Sequence, residues 1–322
     1  MSAPSTGLRM GEWVEVRPLE AILATLDERG GLGGLPFMPE MVPLCGRRFR
    51  VRARADKTCD RVHKSGNRRM RDTVHLGDLR CGGEAHDGCQ AACLLYFKEA
   101  WLRRVDGPGP ESAPHAPAPT PERLKVLTRD GERYFCQATE AFRASEEIPS
   151  ADLSHYVRDV RNGNATVGKI VRWEITRALN RLQDLPVRGV FRLVEMVRGP
   201  FRVPRVKGSL AKTPVGRLDL RPGELVRVKS LEEIRATLDA QSRNRGLSFD
   251  IEMAKYCGGK YRVLDRVERI IDEPTGRMLR FSNDCIILDQ VVCAADYHGF
   301  CPRAIYPFWR EIWLERVERH GE

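Results

Sequence analysis

The chain has 322 residues, of which 42% are hydrophobic and 30% charged, and its formal net charge is +10. This length allows two or three domains with separate cores, and the composition is that of a globular protein. The longest apolar run near a motif, "AACLLYF", is too short to cross a bilayer. The first residues carry no apolar segment of a secretory signal, so we expect a cytoplasmic protein. Its ten cysteines are then expected to be ligands, nucleophiles or buried thiols rather than disulfides.

Segments near the N-terminus recur near the C-terminus, and each pair is separated by 212 residues, as Gly11 and Gly223 are. The matched pairs are "GEWVEVRPLEAILATLD" with "GELVRVKSLEEIRATLD", "GLPFMPEM" with "GLSFDIEM", "CGRRFRV" with "CGGKYRV", and "FKEAWLRRV" with "WREIWLERV". A constant offset over this length predicts a tandem duplication.

The pattern of each copy predicts a small β-barrel with one helix. In the second copy a short strand precedes a helix that opens with a capping box between Ser230 and Glu233. Two alternating segments around the turn "EPTG" indicate a hairpin, and "EIWLERV" alternates imperfectly, as a closing barrel strand does. We therefore predict a partly open barrel in residues 1–105 and another in residues 217–322.

A different unit is predicted between the two copies. Residues 106–121 form a Pro/Ala-rich linker, and residues 122–216 follow as a basic unit. "RLKVLTRDGERYFCQA" predicts a hairpin around Asp130 and Gly131, and "ATVGKIVRWEITRALNRLQ" predicts a helix. The predicted fold class is mainly β (α+β), with tandem duplicated small SH3-like barrels flanking a central α+β unit.

The segment "LRPGELVRV" resembles the first strand of SH3-like barrels. With its Cys/His loops, the chain also resembles an uncharacterised bacterial family of tandem SH3-like barrel proteins. This resemblance implies the fold of both copies and brings no activity with it.

Two nine-residue loops, "CGGEAHDGC" and "CAADYHGFC", share the pattern C-x4-H-x2-C. A further cysteine precedes each loop at the matched "CG" turn. Three thiolates and one imidazole are a usual ligand set for tetrahedral zinc. The alternative is that these are ordinary buried residues. The predicted metal ligands are Cys45, Cys81, His86 and Cys89 in the first copy, and Cys257, Cys293, His298 and Cys301 in the second.

The first copy has two further cysteines, Cys59 and Cys93, where the second copy has isoleucines. Cys45, Cys81, Cys89 and Cys93 could make an all-thiolate set that suits zinc or an iron–sulfur cluster, and His86 is then spare. Alternatively, Cys59 or Cys93 is a reactive thiol near positive charge, which favours the thiolate; for Cys59 the basic segment is "KTCDRVHK". For both Cys59 and Cys93 the remaining interpretation is a buried, unreactive thiol.

Matched aromatic and acidic residues precede the end of each copy. Trp101 and Trp313 are predicted to pack in the core, with an aromatic binding platform as the alternative. Glu99 and Glu311 are expected either to pair with a basic neighbour at the surface or to support the histidine of the metal site.

The region from Tyr156 to Thr213 has 13 Lys or Arg residues against four Asp or Glu residues. Basic residues interleaved with phenylalanines suit a groove for single-stranded nucleic acid, although a solvated charged face explains them equally simply. The candidate contacts are Arg198, Arg202, Arg205 and Lys207.

No Walker loop, dinucleotide-binding glycine motif, nucleophile elbow or H-E-x-x-H pair occurs, so nothing in the sequence requires an enzyme. Two hypotheses follow. The first is a zinc-binding scaffold or binding protein of two barrels, with nucleic acid or a protein as partner. The second is an iron–sulfur or thiol-dependent redox or sulfur-handling protein that uses the cysteine-rich first copy.

Overall fold

The computed structural model describes residues 7–63, 66–109, 126–149, 152–183 and 206–317. Most of the predicted linker, 110–121, lies outside the described residues. Three of the predicted nucleic-acid contacts, Arg198, Arg202 and Arg205, also lie outside them.

The strands of the described residues are short. They are β1 (Trp13–Val16), β2 (Gly31–Leu32), β3 (Leu35–Pro36), β4 (Arg48–Arg54), β5 (Thr58–Cys59), β6 (Asn67–Arg69), β7 (Thr73–Leu76), β8 (Phe97–Lys98), β9 (Leu102–Val105), β10 (Arg129–Asp130), β11 (Arg133–Tyr134), β12 (Glu146–Glu147), β13 (Leu225–Val228), β14 (Arg243–Asn244), β15 (Leu247–Ser248), β16 (Lys260–Arg266), β17 (Arg269–Ile271), β18 (Met278–Arg280), β19 (Ile286–Leu288) and β20 (Leu314–Arg316).

Helices are fewer than strands. The α-helices are α1 (Leu19–Leu23), α2 (Gln137–Glu140), α3 (Ser154–Asn162), α4 (Val167–Gln183) and α5 (Leu231–Arg235), and the 3₁₀ helices are Pro39–Leu44, Glu84–His86, Glu99–Trp101, Ile251–Tyr256 and Glu311–Trp313. The prediction of a mainly β chain is therefore confirmed.

The chain divides into two compact units. The first comprises Met1–Asn164, Val267–Ser282 and Phe300–Tyr306, and the second comprises Ala165–Arg266, Asn283–Gly299 and Pro307–Glu322. The predicted domain bounds stay a prediction.

The first unit is built on a five-stranded antiparallel sheet in the order β8-β7-β4-β1-β9, beside a three-stranded sheet in the order β12-β6-β5. Its smaller hairpins include β10-β11, which confirms the predicted turn at Asp130 and Gly131, and β17-β18, which confirms the hairpin around "EPTG". The core contains Trp101, whose ring meets Phe37 edge to face at 5.4 Å and whose indole N–H donates to Thr25 Oγ1 at 3.1 Å.

The second unit is built on a four-stranded antiparallel sheet in the order β19-β16-β13-β20. Its core repeats the packing of the first. Trp313 meets Phe249 edge to face at 5.4 Å and donates to Thr237 Oγ1 at 2.9 Å. Both tryptophans are fully buried, so the core prediction for Trp101 and Trp313 is confirmed. Tryptophan suits this place because its N–H finds an acceptor inside the core.

Sequence reasoning located other local features as well. The capping box of α5 is present, with the backbone N–H of Glu233 donating to Ser230 Oγ at 3.3 Å. The predicted central helix is α4. The imperfect alternation of "EIWLERV" has a physical reason, because a 3₁₀ turn at Glu311–Trp313 comes before β20.

Glu99 and Glu311 have a role that neither sequence alternative described. Glu99 is buried and accepts hydrogen bonds from the backbone N–H of Gly7 at 3.0 Å and Leu8 at 3.1 Å, while it pairs with Arg54. Glu311 is equally buried and pairs with Arg266. It accepts from the backbone N–H groups of Leu218, Asp219 and Leu220 at 2.8, 3.2 and 2.8 Å. Each carboxylate thus fastens the segment that leads into the first strand of its sheet.

Candidate metal and thiol sites

Three potential metal ligands meet in the first unit. Glu40, Cys81 and His86 each offer one ligand atom, and these atoms lie within 4.8 Å of one another, the one such group among the described residues. Glu40 stands on the 3₁₀ helix Pro39–Leu44, and His86 ends the short 3₁₀ helix of the Cys/His loop. Glu40 Oε1 lies 2.8 Å from His86 Nδ1 and 3.7 Å from Cys81 Sγ.

Glycine fixes the shape of this loop. Gly83 has φ +78°, and a Cβ built there would lie 2.1 Å from the carbonyl oxygen of Cys89. Any other residue would be strained in this backbone conformation and would also collide with the loop backbone. The close approach lets the backbone N–H of Gly88 donate to the carbonyl of Gly83 at 3.0 Å, which closes the turn that presents His86.

The hydrogen bonds of His86 determine what its ring can do. Nε2 lies 3.2 Å from the carbonyl oxygen of Phe135, which only accepts, so Nε2 carries a proton. Nδ1 then faces Glu40 Oε1 at 2.8 Å, so the second ring nitrogen of this buried histidine points at the carboxylate of the group. A backbone carbonyl that holds one ring nitrogen while the other faces a metal is the usual arrangement around a ligating histidine.

The surroundings shift the pKa values of the other two potential ligands, Glu40 and Cys81, in opposite directions. Burial raises the pKa of Glu40, but the hydrogen bond and charge of His86 outweigh it, so the pKa of the carboxyl lies below its ordinary value. Glu40 Oε1 also accepts from the backbone N–H of Ala85 at 3.2 Å, while Oε2 is buried and has no hydrogen-bond partner in the part of the chain that the structure describes. Burial, with the charge of Glu40, raises the pKa of the Cys81 thiol well above its usual range, so Cys81 is a neutral thiol until a metal displaces its proton.

The remaining predicted ligands of the first copy lie outside this group of three. Cys45 caps the 3₁₀ helix Pro39–Leu44, and burial raises its pKa to about 11. Cys89 Sγ accepts from the backbone N–H of Ile271 at 3.3 Å. Burial raises the pKa of the Cys93 thiol to about 12. The Cys3His set and the four-thiolate set of this copy stay predictions.

The second copy has a different arrangement at the matched positions. Glu252 is buried like Glu40 and accepts from the backbone N–H of Tyr297 at 2.5 Å. His298 is half-exposed, and its Nε2 lies 3.3 Å from Asp250 Oδ1. The first copy has Met38 where the second has Asp250, so a thioether stands there in place of a carboxylate.

The predicted ligands of the second copy belong to both units. Cys257, Cys293 and His298 lie in the second unit, whereas Cys301 lies in the first. Burial raises the pKa of Cys257 to about 11. The shared metal site of these four residues stays a prediction.

In the first unit Cys301 adjoins Cys59. The backbone N–H of Cys59 donates to Cys301 Sγ at 3.1 Å, and the two side chains hydrogen-bond. Arg303 Nη1 lies 3.4 Å from the carbonyl oxygen of Cys59 and 3.9 Å from its sulfur. The hydrogen bond from Cys301, helped by the charge of Arg303, lowers the pKa of Cys59 to about 6 against the effect of burial. The pKa of Cys301 is raised, mainly by burial.

Sequence reasoning did not single out Glu40, Glu252 or Arg303. Glu40 and Glu252 stand at the same place in the matched segments "GLPFMPEM" and "GLSFDIEM", so the repeat carried a signal for them. Arg303 carried no such signal.

No protein-family model matches the chain, and no curated protein matches it. Among the described helices, none combines the length and the apolar character that crossing a bilayer requires.

Proposed function

We propose that this chain is a zinc-binding scaffold or binding protein, and that Glu40, Cys81 and His86 hold the ion. The observation that carries the proposal is the convergence of a carboxylate, a thiol and an imidazole within 4.8 Å in the first unit. Thiolate, imidazole and carboxylate are the three ligand types that zinc takes in proteins. Three protein ligands leave a fourth position for water or for one further side chain.

The surroundings of these donors support a cation there. Within the described ranges Glu40 Oε2 is a buried acceptor with no hydrogen-bond partner, and His86 presents Nδ1 to Glu40 Oε1. A divalent ion would replace the proton of the Cys81 thiol, would take His86 Nδ1 as a nitrogen donor and would use the negative charge of Glu40. Bound in this way, it joins the 3₁₀ helix Pro39–Leu44 to the Cys/His loop and acts as a structural staple.

The finer architecture belongs to the same proposal: two SH3-like barrels in tandem around a central α+β unit. Its support is the 212-residue offset, which the element bounds share, as Trp13–Val16 and Leu225–Val228 show. A β-bulge also falls between Val51 and Ala53 in one copy and between Val263 and Asp265 in the other. Small barrels of this kind present loops and strand faces to partners.

Nucleic acid is the partner class that we propose, on the basis of the net charge of +10 and the exposed Lys207. The strand β4 contributes less positive charge than its sequence suggests, because Arg48 pairs with Glu15 at 3.3 Å and Arg52 with Asp78 at 3.3 Å. Affinity for a single-stranded oligonucleotide should fall steeply as salt rises. The absence of retention at low salt would leave a protein partner as the alternative.

Metal analysis tests the main proposal. The full chain, purified without chelators, is expected to contain zinc and to be colourless. His86→Ala should remove the zinc of this site, and His298→Ala is the matched control in the second copy. A brown, anaerobically purified protein would instead support the iron–sulfur alternative at Cys45, Cys81, Cys89 and Cys93. Metal content that is the same in His86→Ala and wild type contradicts the proposed ligands.

The second candidate function is a thiol-dependent redox protein. It is favoured by the adjacent thiols of Cys59 and Cys301 and by the arginine beside them. This chemistry needs no metal, so the two candidates are tested separately.

A further inference from the structure

We propose that Cys59 and Cys301 form a redox-active dithiol, in which the Cys59 thiolate attacks a low-molecular-weight disulfide and Cys301 resolves the resulting mixed disulfide into an intramolecular disulfide. The inference is independent of the zinc site at Glu40 and gives the second candidate function its residues. It also assigns Cys301 to Cys59 rather than to the predicted metal set of the second copy.

The first step of the argument is proximity. Cys59 ends the short strand β5, and the segment Phe300–Tyr306 brings Cys301 against it within the first unit. The backbone N–H of Cys59 donates to Cys301 Sγ at 3.1 Å. This contact places the Cys301 sulfur beside the backbone that carries the Cys59 side chain, as a disulfide between the two requires.

The second step is activation. Arg303 Nη1 lies 3.9 Å from Cys59 Sγ, and its guanidinium is held in place by Glu273, with Nη1–Oε2 at 3.1 Å and Nη2–Oε1 at 2.9 Å. Arg303 is itself buried, so its charge acts at short range in a medium of low polarity. A fixed positive charge beside a thiol favours the thiolate, which is the nucleophile in thiol–disulfide exchange.

The third step is the difference in access between the two sulfurs. Cys59 is partly exposed, whereas Cys301 is 6% exposed. We therefore expect an external reagent to meet Cys59 before Cys301. This is the order expected of an attacking cysteine and a resolving cysteine.

The reaction balances with glutathione disulfide as the oxidant. The Cys59 thiolate attacks one sulfur of the reagent, and the reagent S–S bond breaks to release one glutathione thiolate. Cys301 then loses its proton and attacks the Cys59 sulfur of the mixed disulfide, which releases the second glutathione thiolate. The two cysteines lose two electrons and two protons, and one molecule of glutathione disulfide becomes two molecules of glutathione.

The test uses the reduced full chain, treated with glutathione disulfide and analysed by intact mass and by non-reducing peptide mapping. Wild type should lose about 2 Da and yield a peptide that links Cys59 to Cys301. Cys301→Ser should accumulate glutathione on Cys59, because the resolving thiol is missing. Cys59→Ser should give neither product.

The matched control is Cys93→Ser, since Cys93 is also specific to the first copy but its thiol is suppressed by burial. It should form the Cys59–Cys301 link within about twofold of the wild-type rate, whereas Arg303→Gln should slow Cys59 by about tenfold. Circular dichroism shows whether each variant is folded. If Arg303→Gln unfolds, the products formed by wild type and Cys93→Ser still show whether Cys59 and Cys301 form a disulfide.

Three results would overturn the inference. The first is a wild-type chain that keeps all ten thiols, and the second is a disulfide between any other pair. The third is that added zinc protects both thiols from oxidation and that Cys257→Ser removes this protection from both. Cys301 would then be a ligand of the second copy's metal. Whether or not His86→Ala loses zinc, the interpretation of these three results stays the same.

Discussion

At the scale of single residues, a comparison of the two copies distinguishes positions that contribute to a candidate site from positions that only stabilise the fold. Glu40 and Glu252 both accept from a backbone N–H, of Ala85 and Tyr297 respectively, but among the described residues only Glu40 belongs to a group in which a carboxylate, a thiol and an imidazole lie within 4.8 Å. The difference arises beside the carboxylate, where His298 lies near Asp250. The loops also differ at Gly83, where the second copy has Ala295, so substitutions within and beside the loop give the two copies different surroundings.

The first prediction follows from this difference. Glu40→Gln removes the anionic oxygen that faces both His86 and Cys81, so zinc affinity of the first unit should fall by at least about 10- to 100-fold. Competition with a chromogenic chelator measures the change. Glu252→Gln is the control, because it alters the matched buried carboxylate outside the donor group. An equal loss of affinity in both variants would contradict the assignment of Glu40.

The second prediction concerns His75, a fully buried histidine on β7. Its Nδ1 donates to the carbonyl of Leu95 at 2.9 Å, and Nε2 has no hydrogen-bond partner among the described residues. Burial lowers its pKa to about 3, aided by the charges of Arg303, Arg52 and Arg80, whereas the unfolded residue titrates near 6.5. The unfolded state thus binds the proton first as pH falls from about 6.5 towards 3.

The free energy of unfolding of the first unit should consequently fall as the pH is lowered from about 6.5 towards 3. His75 alone should contribute up to about 1.4 kcal/mol per pH unit to this fall. Urea titrations at several pH values measure the slope. His75→Gln should flatten the dependence between pH 6.5 and 4, and the exposed His63 provides the control variant His63→Gln. A slope unchanged in His75→Gln would show that other groups carry the acid sensitivity.

At the scale of elements, each first strand is anchored by a buried carboxylate rather than by apolar packing alone. Glu99 binds the segment before β1 and Arg54 at the end of β4, and Glu311 binds the segment before β13 and Arg266 at the end of β16. Burial raises the pKa of Glu311, but the backbone hydrogen bonds and Arg266 outweigh it and leave the pKa below its ordinary value. Glu311 is therefore ionised at neutral pH.

The third prediction tests this anchor. Glu99→Gln removes one of the two carboxylates that pair with the buried Arg54 and leaves Asp56 as the other, so the first unit should lose about 1–3 kcal/mol of stability. Hydrogen exchange should show faster exchange of the amides of Leu8 and β1, with the second unit unchanged. Glu311→Gln should produce the reverse distribution. A loss spread evenly over both units in either variant would contradict a local role.

Local features of these elements were predictable because they depend on near neighbours in the sequence. The capping box of α5 and the turn at Asp130 and Gly131 each need only a few consecutive residues. The position of Cys301 was not predictable in the same way. It adjoins Cys59 across 242 residues of chain, and a repeated loop pattern cannot show which long-range contact a cysteine makes. Glu40 was missed because a carboxylate in an apolar segment lacks the spacing that marks cysteine and histidine ligands.

At the scale of the whole molecule, a disulfide between Cys59 and Cys301 would close a loop of most of the chain. Closing a long loop removes conformational freedom from the unfolded state, although strain in the folded state commonly reduces the gain. The oxidised chain should consequently be more stable than the reduced chain by about 2–4 kcal/mol. This effect follows from the connectivity of the chain and does not depend on what the dithiol reacts with.

The fourth prediction is that glutathione disulfide raises the thermal midpoint of the first unit by several degrees, on the scale of roughly 2–4 °C per kcal/mol for a chain of this size. Hydrogen exchange should slow at Phe300–Tyr306 and β5, because opening there would have to strain the new bond. Cys301→Ser, treated identically, should show no rise, since glutathione on Cys59 closes no loop. Reduction of the oxidised wild type should restore the lower midpoint, and a midpoint that dithiothreitol leaves unchanged would show that the stabilisation comes from some other modification.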